Sequence, residues 1–210
     1  MKKTISLLLC LVLLVGMAAT LTACSKTTIV GSWTTTVDCT DKVSDLLIEG
    51  YEAMEQFFDL PKFTVKLNVQ FNDDNTFVVL VDEGELSNSL TTLDEPLRSG
   101  IKQYFNNMGL DTQTLESMGA SVDSALAVFH DKNVGGELVN AFMLNGTYRL
   151  EENTIYLNDH PTNLPDGSMK ATVELSKSEL VLKDANVSFE TATDLAAAIN
   201  AGLTFARVDD

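Results

Sequence analysis

Cys24 is the residue of this 210-residue chain whose position points most directly to a chemical modification. It follows a small residue at the end of an almost entirely apolar run, Ile5 to Ala19, which begins just after two lysines. A basic start, an apolar run and a small residue before a cleavage point are typical of a secretory signal. Residues 1–23 are therefore predicted to be removed, so that the mature chain begins at Cys24.

The segment Leu21-Thr22-Ala23-Cys24 resembles the bacterial lipobox, whose cysteine receives diacylglycerol on its thiol before the signal is removed. The resemblance implies a lipoprotein with acyl chains such as palmitate, held at the extracytoplasmic face of a cell membrane. Two acyl chains suffice as an anchor, because each buried methylene contributes about 0.8 kcal/mol. A plain secretory signal or a membrane-spanning helix is the alternative, although a span needs about 20 apolar residues.

The chain is strongly acidic, with 30 Asp and Glu against 14 Lys and Arg and a formal net charge of −16. Loss of Lys2 and Lys3 with the signal changes this charge from −16 to −18. Nucleic acid binding requires clusters of Lys and Arg that are absent, and an acidic surface is not attracted to anionic lipid. Nucleic acid is therefore excluded as a partner, and the membrane is expected as a partner through the covalent lipid alone.

Side chains in arrangements typical of catalysis or metal binding are not found in the sequence. The two histidines, His130 and His160, do not form a zinc-binding motif, and Asp73-Asp74-Asn75 lacks the spaced ligands of a calcium loop. Cys39 is the one cysteine left after processing, so no disulfide is expected and its thiol is predicted to be buried and unreactive. The chain is predicted to be no enzyme and to hold no metal or cofactor besides the diacylglycerol on Cys24. Its many Ser and Thr leave an unrecognised hydrolase as an alternative.

Alternating apolar and polar residues predict strands in the mature chain. Phe63 to Phe71 shows the clearest alternation, and turn residues at 72–75 join it to Phe77 to Val81, so this pair is predicted to form a hairpin. The other predicted strands are Ile29 to Val37, Gly146 to Leu150, Thr154 to Leu157, Met169 to Leu175, one around Leu180 and Leu182, and Leu203 to Val208.

Helices are predicted in two connections and before the last strand. Apolar residues at spacings of three and four predict a helix at 42–59 after the first strand. A helical insertion is predicted at about 86–144, where Thr92 and Glu95 resemble a capping box at the start of its longest helix. Shorter helices are predicted at 112–118, 121–131 and 193–201.

Eight mainly antiparallel strands suit a closed barrel, since closure removes the unpaired edges of an open sheet. The predicted fold is mainly β with helical insertions (α+β), an eight-stranded antiparallel barrel that forms a single domain over residues 24–210. The pattern alone leaves a sandwich open as an alternative.

Gly31-Ser32-Trp33 on the first strand is similar to the Gly-x-Trp motif of the lipocalins and the wider calycin group. The order of later elements is similar to that of bacterial lipocalin-like lipoproteins, with a hairpin at 71–77, a strand opening at 145–148 and a C-terminal helix before a closing strand. The resemblance implies that Trp33 closes one end of the barrel against an arginine, for which Arg207 is the candidate. The family's Thr-Asp-Tyr motif is not evident, and the helical insertion is a large addition.

A lipocalin-like barrel either holds one small ligand or is filled by side chains. In the first case the protein binds or carries a small apolar or amphipathic molecule in a cavity lined by inward-facing residues: Phe63, Val65, Leu67, Val69, Phe77, Val79, Val81, Val173 and Leu175. The insertion then covers the mouth of the barrel, or packs outside it, with one apolar stripe: Leu97, Ile101, Tyr104, Phe105 and Met108. In the second case the barrel is a scaffold, and the insertion presents a binding face to an envelope protein.

Overall fold

The computed structural model of the protein describes residues 27–208. The predicted signal and the predicted lipidation residue Cys24 lie outside these described residues. Eight strands occur in the described part: β1 (Gly31–Asp38), β2 (Thr64–Phe71), β3 (Thr76–Val81), β4 (Leu144–Glu151), β5 (Thr154–Asn158), β6 (Met169–Leu175), β7 (Glu179–Asn186) and β8 (Leu203–Arg207).

Each strand pairs antiparallel with its neighbour in the chain, and β1 also pairs with β8, so the sheet closes into a barrel. This closure confirms the predicted class, mainly β with helices inserted, and excludes the sandwich. Every second residue of β2 is buried and the residues between them are half-buried, as expected for a strand with one face toward a core. A slip of one residue would turn the apolar set outward, so this alternation fixes the register.

Helices occupy the connections at one end of the barrel. The connection after β1 contains α1 (Thr40–Ile48) and a 3-10 helix (Glu52–Phe57), and α7 (Thr193–Ala201) precedes β8. Five helices lie between β3 and β4 in the described chain: α2 (Glu83–Thr91), α3 (Asp94–Asn107), α4 (Thr112–Ser117), α5 (Val122–His130) and α6 (Val134–Phe142).

The alternating strand directions place short turns at one end of the barrel and all helices at the other. The turns at 72–75, 152–153 and 176–178 define the hairpin end. The described chain also starts and finishes there, since the N–H of Val208 donates to the Ser32 carbonyl at 2.9 Å. The opposite, helical end is covered by α1 to α7 and the 3-10 helix, together called the helical cap. Barrel and cap share one hydrophobic cluster of buried side chains.

The segment after β1 differs from the continuous helix predicted at 42–59. The structure ends α1 at Ile48 and begins a separate 3-10 helix at Glu52, because Gly50 takes a φ of +80° that turns the chain out of the helix. The first strand also begins two residues later than predicted. Ile29 is buried before the strand, and its carbonyl accepts a 2.7 Å hydrogen bond from Nε1 of Trp33.

The helical insertion extends over residues 83–142, close to the predicted 86–144, but its internal boundaries differ. The predicted capping box of Thr92 and Glu95 is wrong, because the Thr92 hydroxyl donates to the Ser89 carbonyl at 2.7 Å and α3 has no side-chain cap. The sequence pattern also predicts no separate helix for α2. That helix begins after Asp82, whose carboxylate accepts a 3.2 Å hydrogen bond from the N–H of Glu85.

Candidate functional site

The hairpin end of the barrel is closed by Trp33 and Arg207, the pair that the family resemblance implies. The guanidinium carbon of Arg207 lies 4.9 Å from the centroid of the Trp33 ring, within cation–π distance. Nη1 and Nη2 of Arg207 donate to the carbonyls of Thr28 at 3.2 Å and Val30 at 2.8 Å. Gly31 has a φ of +131°, and a Cβ there would lie 2.9 Å from Nη2 of Arg207. Because protein groups occupy the guanidinium, the pair acts as a structural closure of the barrel.

The barrel interior is tightly packed at the positions that the sequence suggests as a cavity lining. Val65 and Leu67 are 0 % exposed, and a side chain without accessible surface borders no space large enough for a water molecule. An eight-stranded barrel is just wide enough for its inward side chains to meet. Leu175 is half-buried, and the other members of the set are buried: Phe63, Val69, Phe77, Val79, Val81 and Val173. The interior around Val65 and Leu67 is therefore a packed core.

A cleft of about 470 Å³ opens between β1, α1 and α7, where β1 and β8 separate toward the helical end. Lys42 and Asp194 both line this cleft, with Nζ of Lys42 lying 3.3 Å from Oδ2 of Asp194. Cys39 also lines it, although its side chain is buried. Burial, followed by the nearby carboxylates of Asp194 and Asp38, raises the pKa of the Cys39 thiol to about 12. A thiol that stays protonated is a poor nucleophile, so Cys39 acts as a small apolar side chain.

The helices of the cap form two layers over the barrel. α2 contacts β2, α6 contacts β3, and α7 contacts β7 and β8, so these three helices form the inner layer. α3 packs on α5 and on the 3-10 helix, and these elements form the outer layer. The inner layer closes the helical end, since Leu138 and Phe142 of α6 are buried in the core cluster.

The candidate lid residues all lie on α3 or directly after it, but they differ in burial. Leu97 and Ile101 are buried in the outer layer, Tyr104 and Phe105 are half-buried, and Met108 is exposed. The buried pair helps to hold the outer layer together, and the half-buried pair borders a groove. Their role as a lid stays a prediction.

A groove on the outer layer, here called the aromatic groove, encloses about 340 Å³, a volume in the range of ligand and side-chain pockets. It lies between the segment after α1, the end of α3 and the second half of α5. Its lining consists of Gly50, Tyr51, Glu52, Ala53, Met54, Tyr104, Phe105, Ala125, Val128 and Phe129.

Contacts between aromatic rings hold the three sides of this groove in place. The Phe129 ring lies 5.3 Å from the Tyr51 ring and 5.4 Å from the Phe58 ring, measured between centroids. Phe57 meets Tyr104 edge-to-face at 5.7 Å. Edge-to-face pairs at such distances contribute about 0.5 to 1.5 kcal/mol each beyond their buried area. The groove is thus a preformed surface.

Two further contacts fix the segment after α1 against the insertion. The ammonium group of Lys132 donates to the Glu49 carbonyl at 2.6 Å, at the negative end of α1, and lies 5.2 Å from the centroid of the Tyr51 ring. Gly100 of α3 is so close to the 3-10 segment that a Cβ there would lie 2.3 Å from Cδ1 of Phe58. A larger residue at position 100 would separate α3 from the groove wall.

A second groove in the cap, of about 310 Å³, lies between α2, α3, α5 and α6. Leu97 and Phe129 contribute buried apolar surface to it, and Asp94 and His130 contribute polar groups. Nε2 of His130 lies 2.9 Å from Oδ1 of Asp94. An apolar pocket with a few polar groups is the usual composition of a site for a small molecule.

The cap is strongly acidic. Residues 40–59, 82–143 and 193–201 contain 17 Asp and Glu against 4 Lys and Arg. Glu52 borders the aromatic groove, and its carboxylate accepts a 3.1 Å hydrogen bond from the N–H of Gly50. Hydrogen bonds from the backbone N–H groups of Glu52 and Gly50 lower the pKa of this carboxyl. Glu55 follows one turn later on the same face of the 3-10 helix, so negative charge continues along this edge.

The other residues that the sequence suggests for catalysis or metal binding, His160 and Asp74, form local hydrogen bonds within a loop and a turn. Nδ1 of His160 lies 3.1 Å from Oγ1 of Thr162 within the β5–β6 loop, and the Asp74 carboxylate accepts a 3.0 Å hydrogen bond from the N–H of Thr76 in the β2–β3 turn. Within residues 27–208, no group of His, Cys, Asp and Glu side chains is arranged to hold a metal ion. None of the helices in that range combines the length and apolar character that a membrane span requires. That the chain is no enzyme stays a prediction.

The aromatic groove is the feature that the sequence pattern does not reveal. The pattern places Tyr51 on the stripe of one continuous helix and gives no indication that it meets Phe129. Gly50 is the signal that could have indicated the break, because glycine interrupts helices. The predicted helix at 121–131 contains Val128 and Phe129, but its periodicity does not say which element each residue contacts.

No family model, no curated protein and no solved structure matches the chain. The molecule is therefore described by its own fold and side-chain contacts. It is a closed eight-stranded antiparallel barrel whose helical end carries a two-layered, acidic cap.

Proposed function

We propose that this protein is an extracytoplasmic lipoprotein of lipocalin-like fold, anchored to a cell membrane by diacylglycerol on Cys24, which binds another envelope protein through its helical cap. The barrel is the scaffold in this proposal, and the cap is the binding face. The observation that carries it is the aromatic groove, which presents apolar side chains at the surface beside a packed barrel.

The packing of the barrel supports a scaffold role. Val65 and Leu67 have no accessible surface, so a ligand in the barrel would have to displace side chains that already meet. The stacking of Arg207 on Trp33 at the hairpin end supports the lipocalin-like assignment.

Exposed apolar side chains on the cap support a protein-binding role. Tyr51 is 37 % exposed and Val128 is 40 % exposed, and both line the aromatic groove. Met108 and Met118 are exposed near the two ends of α4. Protein interfaces are enriched in aromatic residues and methionine, and grouped apolar surface is typical of a binding site. The acidic charge of the chain supports a protein rather than a nucleic acid as the partner.

Photo-cross-linking in intact cells tests the cap as the binding face. A photoreactive amino acid is placed at cap positions Met108, Met118 or Val128, or at the exposed barrel positions Leu80 on β3 or Val208 after β8 as controls. A specific cross-linked envelope protein is expected from the cap positions. The proposal is wrong if the same partner is captured from the barrel positions alone.

The lipid anchor is tested separately by metabolic labelling with an alkyne fatty acid. The mature protein is expected to incorporate the label and to fractionate with membranes, because the label would be carried on Cys24. Cys24→Ala should abolish the labelling, whereas the control Cys39→Ala should retain it. Labelling that survives Cys24→Ala would contradict the anchor.

A small apolar or amphipathic ligand remains a second candidate function, and the groove of about 310 Å³ beside Leu97 favours it. The ligand would then bind in this groove of the cap, next to Leu97, which the sequence suggests as part of a lid. Native mass spectrometry of protein purified from its own host tests this function. A bound small molecule of constant mass is expected, and protein that is consistently empty would contradict it.

A further inference from the structure

We infer that the aromatic groove binds a basic amphipathic helix of the partner protein, whose apolar side chains enter the groove and whose Lys or Arg side chains face the acidic 3-10 segment. This inference rests on the proposed role of the cap in protein binding and specifies its site and the chemistry of its partner.

The shape of the groove suits an inserted helix face. Val128 and Phe129 of α5 lie between the Tyr51 side and the Tyr104 side, so apolar surface continues across three elements. Helices bind in such grooves through apolar residues that recur every three or four positions. The ring contacts of Phe129 with Tyr51 and Phe58 hold the surface in place before binding, which lowers the entropic cost of association.

Charge beside the groove favours a basic partner. Glu52 lines the groove, Glu55 is exposed one turn later on the 3-10 helix, and Glu49 is exposed just before the turn at Gly50. The neighbouring cation, Lys132, is already engaged, because its ammonium donates to the Glu49 carbonyl and lies over the Tyr51 ring. The charge of Lys132 also acts on the Glu52 carboxylate, but among the described residues neither Glu52 nor Glu55 forms a salt bridge. Their carboxylates can therefore pair with cations of a partner, and such complementarity selects and orients an incoming charged segment.

The same charge disfavours two other occupants. A second copy of this chain would bring two acidic caps together, each with 17 Asp and Glu against 4 Lys and Arg in residues 40–59, 82–143 and 193–201. An anionic lipid surface would be repelled for the same reason. A basic protein segment satisfies both the apolar lining and the acidic edge.

The test uses the full-length protein in phosphatidylcholine nanodiscs and a fluorescent model peptide of about 14 residues, long enough to form a helix, with the repeat Leu-Lys-Lys-Leu-Leu-Lys-Leu. Fluorescence anisotropy is expected to show binding that weakens as the salt concentration rises. The same peptide with Glu in place of Lys should bind at least about tenfold more weakly. Equal binding of the two peptides, after subtraction of the binding of each peptide to empty nanodiscs, would overturn the inference.

Matched variants locate the binding site. Val128→Gln should weaken binding of the Lys peptide about tenfold, because it places a polar group within the apolar lining without changing the charge. Leu80→Gln is the control, since Leu80 is 46 % exposed on β3 and Val128 is 40 % exposed. Glu55→Lys should weaken binding without disturbing the lining, and Glu179→Lys on β7 should not. Binding that is unchanged in both Val128→Gln and Glu55→Lys would place the peptide elsewhere and defeat the inference.

Cross-linking in cells separates this inference from the proposed function. If a partner is captured through the cap equally well by the wild type and by the Val128→Gln variant, the cap binds protein but not through the aromatic groove. If no partner is cross-linked to the cap in cells but the Lys peptide binds the groove in vitro, the proposed function is wrong. The inferred binding of a basic helix in the aromatic groove is then retained.

Discussion

The guanidinium group of Arg207 lies over the ring of Trp33, 4.9 Å from its centroid, although the two residues are at opposite ends of the described chain. This contact joins β1 to β8 where the barrel closes. Arg207→Lys is expected to lower the free energy of unfolding by about 1 to 3 kcal/mol, because it weakens the cation–π contact and removes hydrogen bonds to two carbonyls. Urea unfolding followed by the fluorescence of the single tryptophan measures this loss. An unchanged midpoint would show that the contact does not stabilise the closure.

Truncation of Leu67 distinguishes a packed barrel from a hollow one. Leu67 is 0 % exposed, so Leu67→Ala should cost about 2 to 5 kcal/mol in unfolding free energy through lost burial and a new cavity. If Leu67 lined a preformed cavity, the same truncation would lower the free energy of unfolding much less. Chemical denaturation measures the difference, and a loss well below this range would favour the hollow barrel.

Gly100 and Gly84 form a matched pair of helix positions. Gly100→Ala should destabilise the protein by about 1 to 3 kcal/mol, because its Cβ would meet Phe58 and the carbonyl of Phe57 at 2.7 Å or less. Gly84→Ala should be neutral or stabilising by up to about 1 kcal/mol, since alanine favours helix and the nearest atom there, Oδ1 of Asp82, is 3.6 Å away. Thermal unfolding measures both effects. Equal effects would mean that α3 does not pack closely on the 3-10 segment.

Cys39 should be unreactive in the folded protein. Its pKa is raised to about 12, chiefly by burial, so at pH 8 its thiolate fraction should be about a thousandfold lower than that of an ordinary thiol. Labelling with iodoacetamide, in a chain with Cys10→Ser and Cys24→Ser, measures the rate. The same chain in urea should react rapidly. Fast labelling of the folded form would contradict the buried position.

Asp82 should make stability depend on pH in the acid range. The N–H of Glu85, and then the Lys66 ammonium 3.2 Å away, lower the pKa of this carboxyl. Its stabilising contribution is therefore complete above the unfolded carboxyl pKa of about 3.9 and is lost as the pH falls through the lower pKa of the folded state. Asp82→Asn retains a capping oxygen and does not titrate. The stability difference between the wild type and Asp82→Asn should be constant at neutral pH and shrink in acid, and a difference that grew in acid would contradict this assignment.

The strands were predictable because their residues alternate strictly. Val65, Leu67 and Val69 alternate with polar residues, and the structure buries this face of β2. The turn residues at 72–75 and the motif residue Trp33 then sufficed to indicate a hairpin and a first strand. The alternation of apolar and polar residues and the residue types of turns are local features, so they can be read directly from the sequence.

The arrangement of the cap was not predictable, because it depends on contacts between residues that are far apart in the sequence. The stripe that includes Leu97 and Ile101 shows that α3 must bury one face, but this face could pack against any apolar surface. The structure places this face in the outer layer, with α5 and the 3-10 helix. The break at Gly50 decides where Tyr51 and Phe58 meet Phe129, and such long-range packing leaves no periodic signal in the chain.

The position of the described N-terminus at the hairpin end has a consequence for orientation. Two residues, Ser25 and Lys26, separate Cys24 from Thr27, so the three steps between them span about 11 Å at most. A lipid on Cys24 would therefore keep the turns of the barrel nearest the bilayer. Eight residues of a tilted strand rise about 20 Å along the barrel, so the aromatic groove would stand at least that far from the membrane surface. A partner could then reach the groove from the aqueous side without touching the lipid headgroups.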